Sequence, residues 1–286
     1  MTMAHPNGAL ATLLRLSRWR FWLYLAGTYL VGYTAGVEHV GQLLTWWLWI
    51  HLLFFTLPAN LLLYGVNDLF DADTDSRNPK KGLVEHRLSQ SERPLAWSAV
   101  ASALVLALTL VVAQRSFADG AMLSAFVVLA VAYSTPPVRL KTRPILDSAS
   151  NVLYAAPGFL GWQQASGQPV HAIPVLIAGL WTAAMHLFSA IPDIESDREA
   201  GLSTTATLVG LRGSLAVCTV LWLMFAGSLL GLGVLWPWNL AALIYPLIPG
   251  VLLLSEPEAT HRFYWYFPAI NSLMGMAGFF VVALGK

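Results

Sequence analysis

The sequence is divided into nine apolar runs, most of them close to twenty residues long, by short segments that hold most of its charges. About 20 consecutive apolar residues are what an α-helix needs to cross a bilayer. Hydrophobic residues make up 57% of the 286 residues and charged residues 11%, too few charges for the surface of a soluble domain. The pattern predicts an all-α fold, a polytopic membrane bundle of nine transmembrane helices in a single domain over residues 1–286. The predicted spans are 19–37, 43–66, 95–113, 120–137, 148–165, 170–191, 212–233, 238–255 and 263–284.

Basic residues fall almost entirely on alternate connections between these runs. With a cytoplasmic N-terminus, fourteen Lys and Arg residues lie on the cytoplasmic side, and Arg115 and Lys286 on the other. Cytoplasmic loops of membrane proteins carry such an excess of positive charge. We therefore expect an integral protein of the cell membrane with its N-terminus in the cytoplasm and its C-terminus outside. Membrane lipid is an expected partner, and nucleic acid is not.

Acidic residues concentrate at the ends of two predicted spans. Residues 67–93 and 192–200 hold ten of the fifteen acids, although an Asp inside a membrane helix costs about 2.5–3.5 kcal/mol. Asn67, Asp71 and Asp75 are spaced four apart, as are Asp193 and Asp197, so each set lies on one helical face. Four spans separate the two motifs, which places both on the cytoplasmic side. Carboxylate and amide oxygens suit Mg²⁺, which completes its shell with substrate phosphates, and Mn²⁺ is a possible substitute.

Basic and further acidic residues accompany these motifs. Arg139 and Lys141 follow a turn at the end of the fourth span and are candidates to bind a diphosphate, although they also fit a purely topological role. One of Lys80 and Lys81 is a candidate for the same anion. Asp68 lies off the main acidic stripe, so we expect it beside the site or in solvent.

Three further side chains lie just inside the motif-bearing helix ends. Tyr133 and Phe188 are candidates to line a substrate site, where their aromatic faces would attract a cation. His186 lies seven residues before Asp193 on the same face and is a candidate proton acceptor. A hydrogen-bonded packing histidine is an equally good interpretation.

The motifs resemble those of UbiA-type intramembrane prenyltransferases. The resemblance is carried by three segments: residues 67–75, residues 133–141, and residues 193–197. Their order and separation also match, so the resemblance covers nearly the whole chain. It implies that the acidic motifs bind Mg²⁺ and the diphosphate of an isoprenyl donor, with an active-site mouth that faces the cytoplasm.

A narrower resemblance points to the lycopene elongase branch, which lengthens carotenoids to C45 and C50 products. Residues 78–81 and 185–198 carry it. Many quinone-pathway members have Arg where this chain has Ala72, and this difference weakens the hypothesis of an aromatic acceptor. We therefore expect C5 transfer from dimethylallyl diphosphate to the ends of lycopene, a lipophilic polyene.

Two alternatives remain open. One is a prenyltransferase of the same type that acts on an aromatic or quinone-precursor acceptor. The other is a transporter of metal or phosphorylated lipid. The transporter is disfavoured because both acidic motifs lie at one membrane face, whereas transporter sites lie near the midplane.

Overall fold

The computed structural model describes residues 8–71 and 88–285, and every regular element in these ranges is helical. Short helical turns join several α-helices into longer rods. Trp46–Phe54, Leu57–Asn60, the π-helical turn Leu61–Gly65 and Val66–Asp71 form one such rod. The α-helices are α1 Ala9–Leu16, α2 Thr28–Gly36, α3 Trp46–Phe54, α4 Leu57–Asn60, α5 Val66–Asp71, α6 Arg93–Val112, α7 Phe117–Ala132, α8 Leu146–Ala149, α9 Ala156–Ser166, α10 Ala172–Ala190, α11 Ile194–Glu199, α12 Thr205–Gly231, α13 Ile244–Leu254, α14 Thr260–Phe263 and α15 Phe267–Leu284.

Five helical rods in the described ranges are long and apolar enough to cross a membrane. They are Trp46–Asp71, Arg93–Val112, Ala172–Glu199, Thr205–Gly231 and Pro257–Leu284. Phe117–Ala132 and Trp238–Leu254 are shorter apolar helices. The all-helical fold is confirmed, whereas the count of nine spans is not.

The first and fifth predicted spans consist of short helical pieces. The first combines Trp19–Phe21, Leu23–Gly27 and α2, and the fifth combines α8, Ser150–Tyr154 and α9. Pro157 stands at the start of α9, where its missing N–H is tolerated. Interruptions of this kind explain why neither segment forms one long apolar helix.

Glycines bring α2 and α9 into backbone contact. A Cβ on Gly32 would lie 1.9 Å from the carbonyl oxygen of Gly158, and one on Gly161 would lie 2.4 Å from that of Tyr29. No larger side chain fits at these positions. Small residues allow such close approach, and van der Waals packing then holds membrane helices together.

A buried polar network joins α9 to its neighbours. The Tyr29 hydroxyl donates to Gln164 Oε1 at 2.7 Å, and Gln164 Nε2 lies 2.8 Å from Gln114 Oε1. His51 Nε2 lies 2.8 Å from Gln114 Nε2, and the imidazole is fully buried. The network satisfies polar groups that would otherwise be costly inside a membrane.

Candidate active site

The end of α5 meets the loop after α7 in a half-buried ion-pair cluster. Asp71 accepts a hydrogen bond from Arg139 Nη2 at 3.0 Å and forms an ion pair with Lys141 Nζ. One turn earlier, Asn67 Oδ1 accepts from Lys141 Nζ at 2.9 Å and from Ser134 Oγ at 2.9 Å. The first acidic motif and the basic loop therefore form one cluster.

Backbone hydrogen bonds fold the basic loop back over the end of α7. The Lys141 N–H donates to the Tyr133 carbonyl at 3.1 Å, and the Arg139 N–H donates to that of Thr135 at 2.9 Å. Arg139 adopts the left-handed conformation with φ 40°, which costs a residue with a Cβ roughly 1–2 kcal/mol. Strain of this kind occurs at functional sites that the surrounding structure holds in place. The fold thus holds both basic side chains against Asp71.

The Lys141 ammonium carries a perturbed pKa. Burial lowers the pKa of this ammonium to about 7; the Asp68 carboxylate opposes the shift, Arg18 adds to it, and Asp197 opposes it. An anion beside a cationic group favours its charged form and raises its pKa. A bound diphosphate would therefore raise the pKa of Lys141 and keep its ammonium group protonated.

Asp68 belongs to a second ion pair beside the first. Its side chain is buried, and its Oδ1 accepts from Arg18 Nη2 at 3.3 Å. The guanidinium of Arg18 lies 4.6 Å from the ring centroid of Tyr64. Of the two predicted places for Asp68, the structure supports the one beside the site and excludes the one in solvent. The sequence did not single out Arg18, because it resembled a topological charge ahead of the first span.

One cavity of about 1080 Å³ unites most of the predicted site residues. Its volume slightly exceeds the range of about 300–1,000 Å³ that is usual for ligand pockets. From the predicted set it is lined by Asn67, Asp71, Tyr133, Lys141, His186, Asp193 and Asp197. The two acidic motifs therefore face a common space, as the spacing and the topology predicted. Asp75, Lys80 and Lys81 lie outside the described residues.

A chain of hydrogen bonds positions Tyr133 and His186 in the cavity wall. The Tyr133 hydroxyl lies 2.8 Å from His186 Nε2, and Ser148 Oγ lies 3.3 Å from His186 Nδ1. Fully buried Asp147 accepts from the Ser148 N–H at 2.7 Å and from the Thr205 N–H at 2.7 Å. The imidazole is thus oriented from both of its nitrogens. It also lines the cavity, so its place in the structure is compatible with both predicted roles.

Phe188 is not brought to this cavity. It is fully buried, and its ring packs 4.4 Å from that of Phe267 and 6.0 Å from that of Trp222. Phe188 lies near the motif-bearing end of α10, as expected. Its side chain, however, is on the face of α10 that packs into the core, so the predicted substrate contact is wrong. In this structure it belongs to the core between α10, α12 and α15.

Other aromatic side chains line the cavity, and three linked tyrosines are among them. Tyr24, Tyr64 and Tyr154 all line the cavity. The hydroxyls of Tyr64 and Tyr154 lie 2.9 Å apart, and the ring of Tyr154 lies 6.3 Å from that of Tyr24. The sequence does not distinguish them, because most aromatic residues of a membrane helix pack or face lipid.

Four side chains of the cavity have the donor chemistry that a magnesium ion requires. Asn67, Asp71, Asp193 and Asp197 all present oxygen atoms, which Mg²⁺ prefers. Within residues 8–71 and 88–285, no three acidic, His or Cys side chains form a ready metal-binding group, and Asp71 is instead paired with two bases. The residue types therefore fit the ion. One of the four, Asp71, is paired with Arg139 and Lys141 in this structure.

Known proteins resemble this chain along nearly its whole length. The sequence model of the UbiA prenyltransferase family matches residues 25–273. A lycopene elongase/hydratase of Haloarcula japonica is 42% identical over 279 residues, which cover 96% of this chain and 92% of that protein. A protein of the same name from Haloferax volcanii is 43% identical and covers 91% of this chain and 85% of its own.

Solved structures show the same fold. A UbiA homologue from Archaeoglobus fulgidus, in a complex with GPP and Mg²⁺, has a TM-score of 0.65 with 24% sequence identity. The match covers 95% of this chain and 99% of that one. Together with the apolar helical rods, these similarities show that the chain is an integral membrane prenyltransferase and belongs to the UbiA prenyltransferase family.

Proposed function

We propose that this enzyme transfers a C5 prenyl group from dimethylallyl diphosphate to the ends of lycopene. One observation carries the proposal. A single cavity is polar at one end, where acids and bases cluster, and is lined elsewhere by apolar side chains such as Leu30, Phe225 and Met274. A charged donor and a hydrocarbon acceptor need such a shared space. The similarity to lycopene elongase/hydratases supports this choice of acceptor.

The polar end would hold the donor diphosphate. We infer that Asn67, Asp71, Asp75, Asp193 and Asp197 hold Mg²⁺, with Mn²⁺ as a substitute. When bound, the cation acts as a Lewis acid and neutralises the leaving group.

The basic loop would hold the diphosphate oxygens directly. Arg139 and Lys141 already lie against Asp71, so their charges sit where the carboxylates would place the anion. Charge-assisted hydrogen bonds of this kind are about twice as strong as neutral ones. They would stabilise the negative charge that develops on the diphosphate.

The transfer breaks the C–O bond of the donor and forms a C–C bond to the acceptor. The electron pair of the C–O bond leaves with the diphosphate. The terminal alkene of lycopene supplies the pair for the new bond and becomes a tertiary cation. This cation ends either by loss of a proton or by capture of water.

The cavity walls would stabilise the tertiary carbocation and limit its contact with water. The π faces of Tyr24, Tyr64 and Tyr154 attract positive charge, and the apolar lining limits water. The hydrogen-bonded pair of Tyr133 and His186 is a candidate to accept the released proton or to orient a water molecule. Its position in the wall supports this role.

The proposal includes an orientation in the cell membrane. The N-terminus would lie in the cytoplasm and the C-terminus outside, so the polar end would open towards the cytoplasm and its water-soluble donor. The excess of basic residues on alternate connections supports this orientation.

Expression in a lycopene-producing host tests the function. We expect pigments heavier than lycopene by one or two C5 units, with or without added water, as measured by mass spectrometry. Unchanged lycopene beside an inserted, folded protein would contradict the carotenoid acceptor. Prenylation of an added aromatic acceptor under the same conditions would favour the alternative acceptor class.

A further inference from the structure

The cavity extends far beyond the polar end and reaches the opposite end of the bundle. Leu202 and Thr204 line it just before α12, and Val234 and Leu235 line it just after α12. The helix is kinked at Gly210, where φ is 72°. The 21 residues from 211 to 231 still span about 30 Å at 1.5 Å per residue.

The remaining walls run in the same direction. On α15, residues from Pro268 to Val281 line the cavity, a distance of about 20 Å along the helix axis. The four acids that line the described cavity are Asp71, Asp193, Asp197 and Glu199. All four belong to the motif-bearing helix ends, so the far end is lined without carboxylates.

Four residues at the far end form what we term the distal subsite. Val234, Leu235 and Trp238 are apolar, and Asn239 is the polar member. Asn239 is buried and donates from Nδ2 to the Leu229 carbonyl at 3.2 Å, which fixes the segment against the end of α12. The amide oxygen of Asn239 is buried without a partner among the described residues.

We propose that the distal subsite binds the unreacted end of a rod-shaped polyene acceptor. This inference rests on the proposed function. A conjugated polyene is stiff, so its two ends cannot reach the acids together. While one end reacts beside Asp71, the other end of a molecule lying along the cavity would reach the distal subsite about 30 Å away.

This arrangement has a consequence for reactions at both ends. Because the described cavity has acids at one end only, the acceptor must leave, turn end for end and bind again before the second transfer. The distal subsite then holds an end that already carries an added C5 unit. It therefore influences whether the reaction stops at C45 or continues to C50.

The first measurement compares acceptors of different length. We expect a C20 polyene with the same terminal group as lycopene to react with a kcat/KM at least tenfold below that of lycopene, because it cannot reach the distal subsite. Equal kcat/KM values for the two acceptors would overturn the proposal.

The second measurement blocks the cavity between its two ends. Gly278 on α15 lines the cavity, and a Cβ built there has no heavy atom within 4 Å. The side chain of G278W would enter this space about 15 Å along the helix from Pro268. We expect at least a tenfold loss of kcat/KM with lycopene and little change with the C20 acceptor.

A matched control separates blocking from a general helix defect. Gly227 on α12 also has open space at its Cβ, but it is exposed and does not line the cavity. The G227W variant should keep wild-type kinetics with both acceptors. A lycopene defect in G227W as large as in G278W would overturn the proposal. So would normal lycopene turnover in G278W, which would mean that most of the acceptor lies in lipid.

The proposed function and the distal subsite fail in different ways. If the wild-type enzyme elongates neither polyene, the proposed function itself is wrong. If it elongates both equally well, the function stands and the distal subsite is wrong.

Discussion

Replacing Lys141 tests whether the basic loop binds the donor or only enforces membrane topology. The side chain of Lys141 is 13% exposed, and its ammonium contacts both Asp71 and Asn67. The K141M variant keeps most of the volume and removes the charge. Hydrogen bonds to charged groups contribute about 1.5–3 kcal/mol. At about 1.4 kcal/mol per factor of ten, losing one such contact to the diphosphate should lower kcat/KM for the donor roughly 10- to 150-fold.

The assay measures initial rates in membranes as a function of donor concentration at saturating acceptor. A second series varies the acceptor concentration at saturating donor. We expect the KM for the donor to rise while the KM for the acceptor stays near its wild-type value, because Lys141 lies at the polar end of the cavity. Protein amount and insertion are measured on the same membranes. This comparison separates a binding defect from poor expression.

The control removes a charge from the same loop. Arg143 is exposed, donates to the Pro137 carbonyl at 3.0 Å and does not line the cavity. Since R143A and K141M each remove one of the fourteen positive charges on the predicted cytoplasmic side, topology alone predicts equal effects. Near-wild-type donor kinetics for K141M, or an equal defect in R143A, would refute the assignment of Lys141 to the donor.

Two further predictions concern the acids. Chelation of divalent cations should abolish turnover in isolated membranes, and Mg²⁺ or Mn²⁺ should restore it, since every proposed ligand is an oxygen donor; full activity in excess chelator would exclude the proposed cation. The variants D71N and D193N should each lose activity at least a hundredfold at near-normal expression, whereas E195Q should be mild because Glu195 is exposed and does not line the cavity. A severe E195Q defect beside an active D193N enzyme would mean that the wrong face of this helix had been chosen.

The shared cavity was predictable because it depends on helical periodicity and on topology. Spacing by four placed Asn67 with Asp71 and Asp193 with Asp197 on common faces, and the positive-inside count put both motifs on one side. The structure brings all four to one cavity. The order of the two acidic motifs along the chain, and the membrane side on which each motif is predicted to emerge, are sufficient for this prediction. No tertiary contact has to be known.

Residue roles that depend on rotation about a helix axis, or on distant partners, were less accessible. Phe188 lies at the expected depth but faces Trp222 and Phe267, since depth alone does not fix which face of α10 meets a neighbour. The Arg18–Asp68 pair joins residues fifty positions apart. Nothing local distinguishes Arg18 from a charge that only sets topology.

The backbone contact between α2 and α9 has a consequence for membrane insertion during synthesis. The segment that ends in α9 carries Asn151, Gln163 and Gln164, so it partitions poorly into lipid while it is alone. Its glutamines find their partners, and Gly158 its packing surface on Gly32, only after earlier helices are in place. Stable packing of this segment into the bundle therefore depends on helices that were made first. We therefore expect a larger side chain at Gly32 to cause misinsertion and rapid degradation of the chain, rather than slower catalysis by an inserted enzyme.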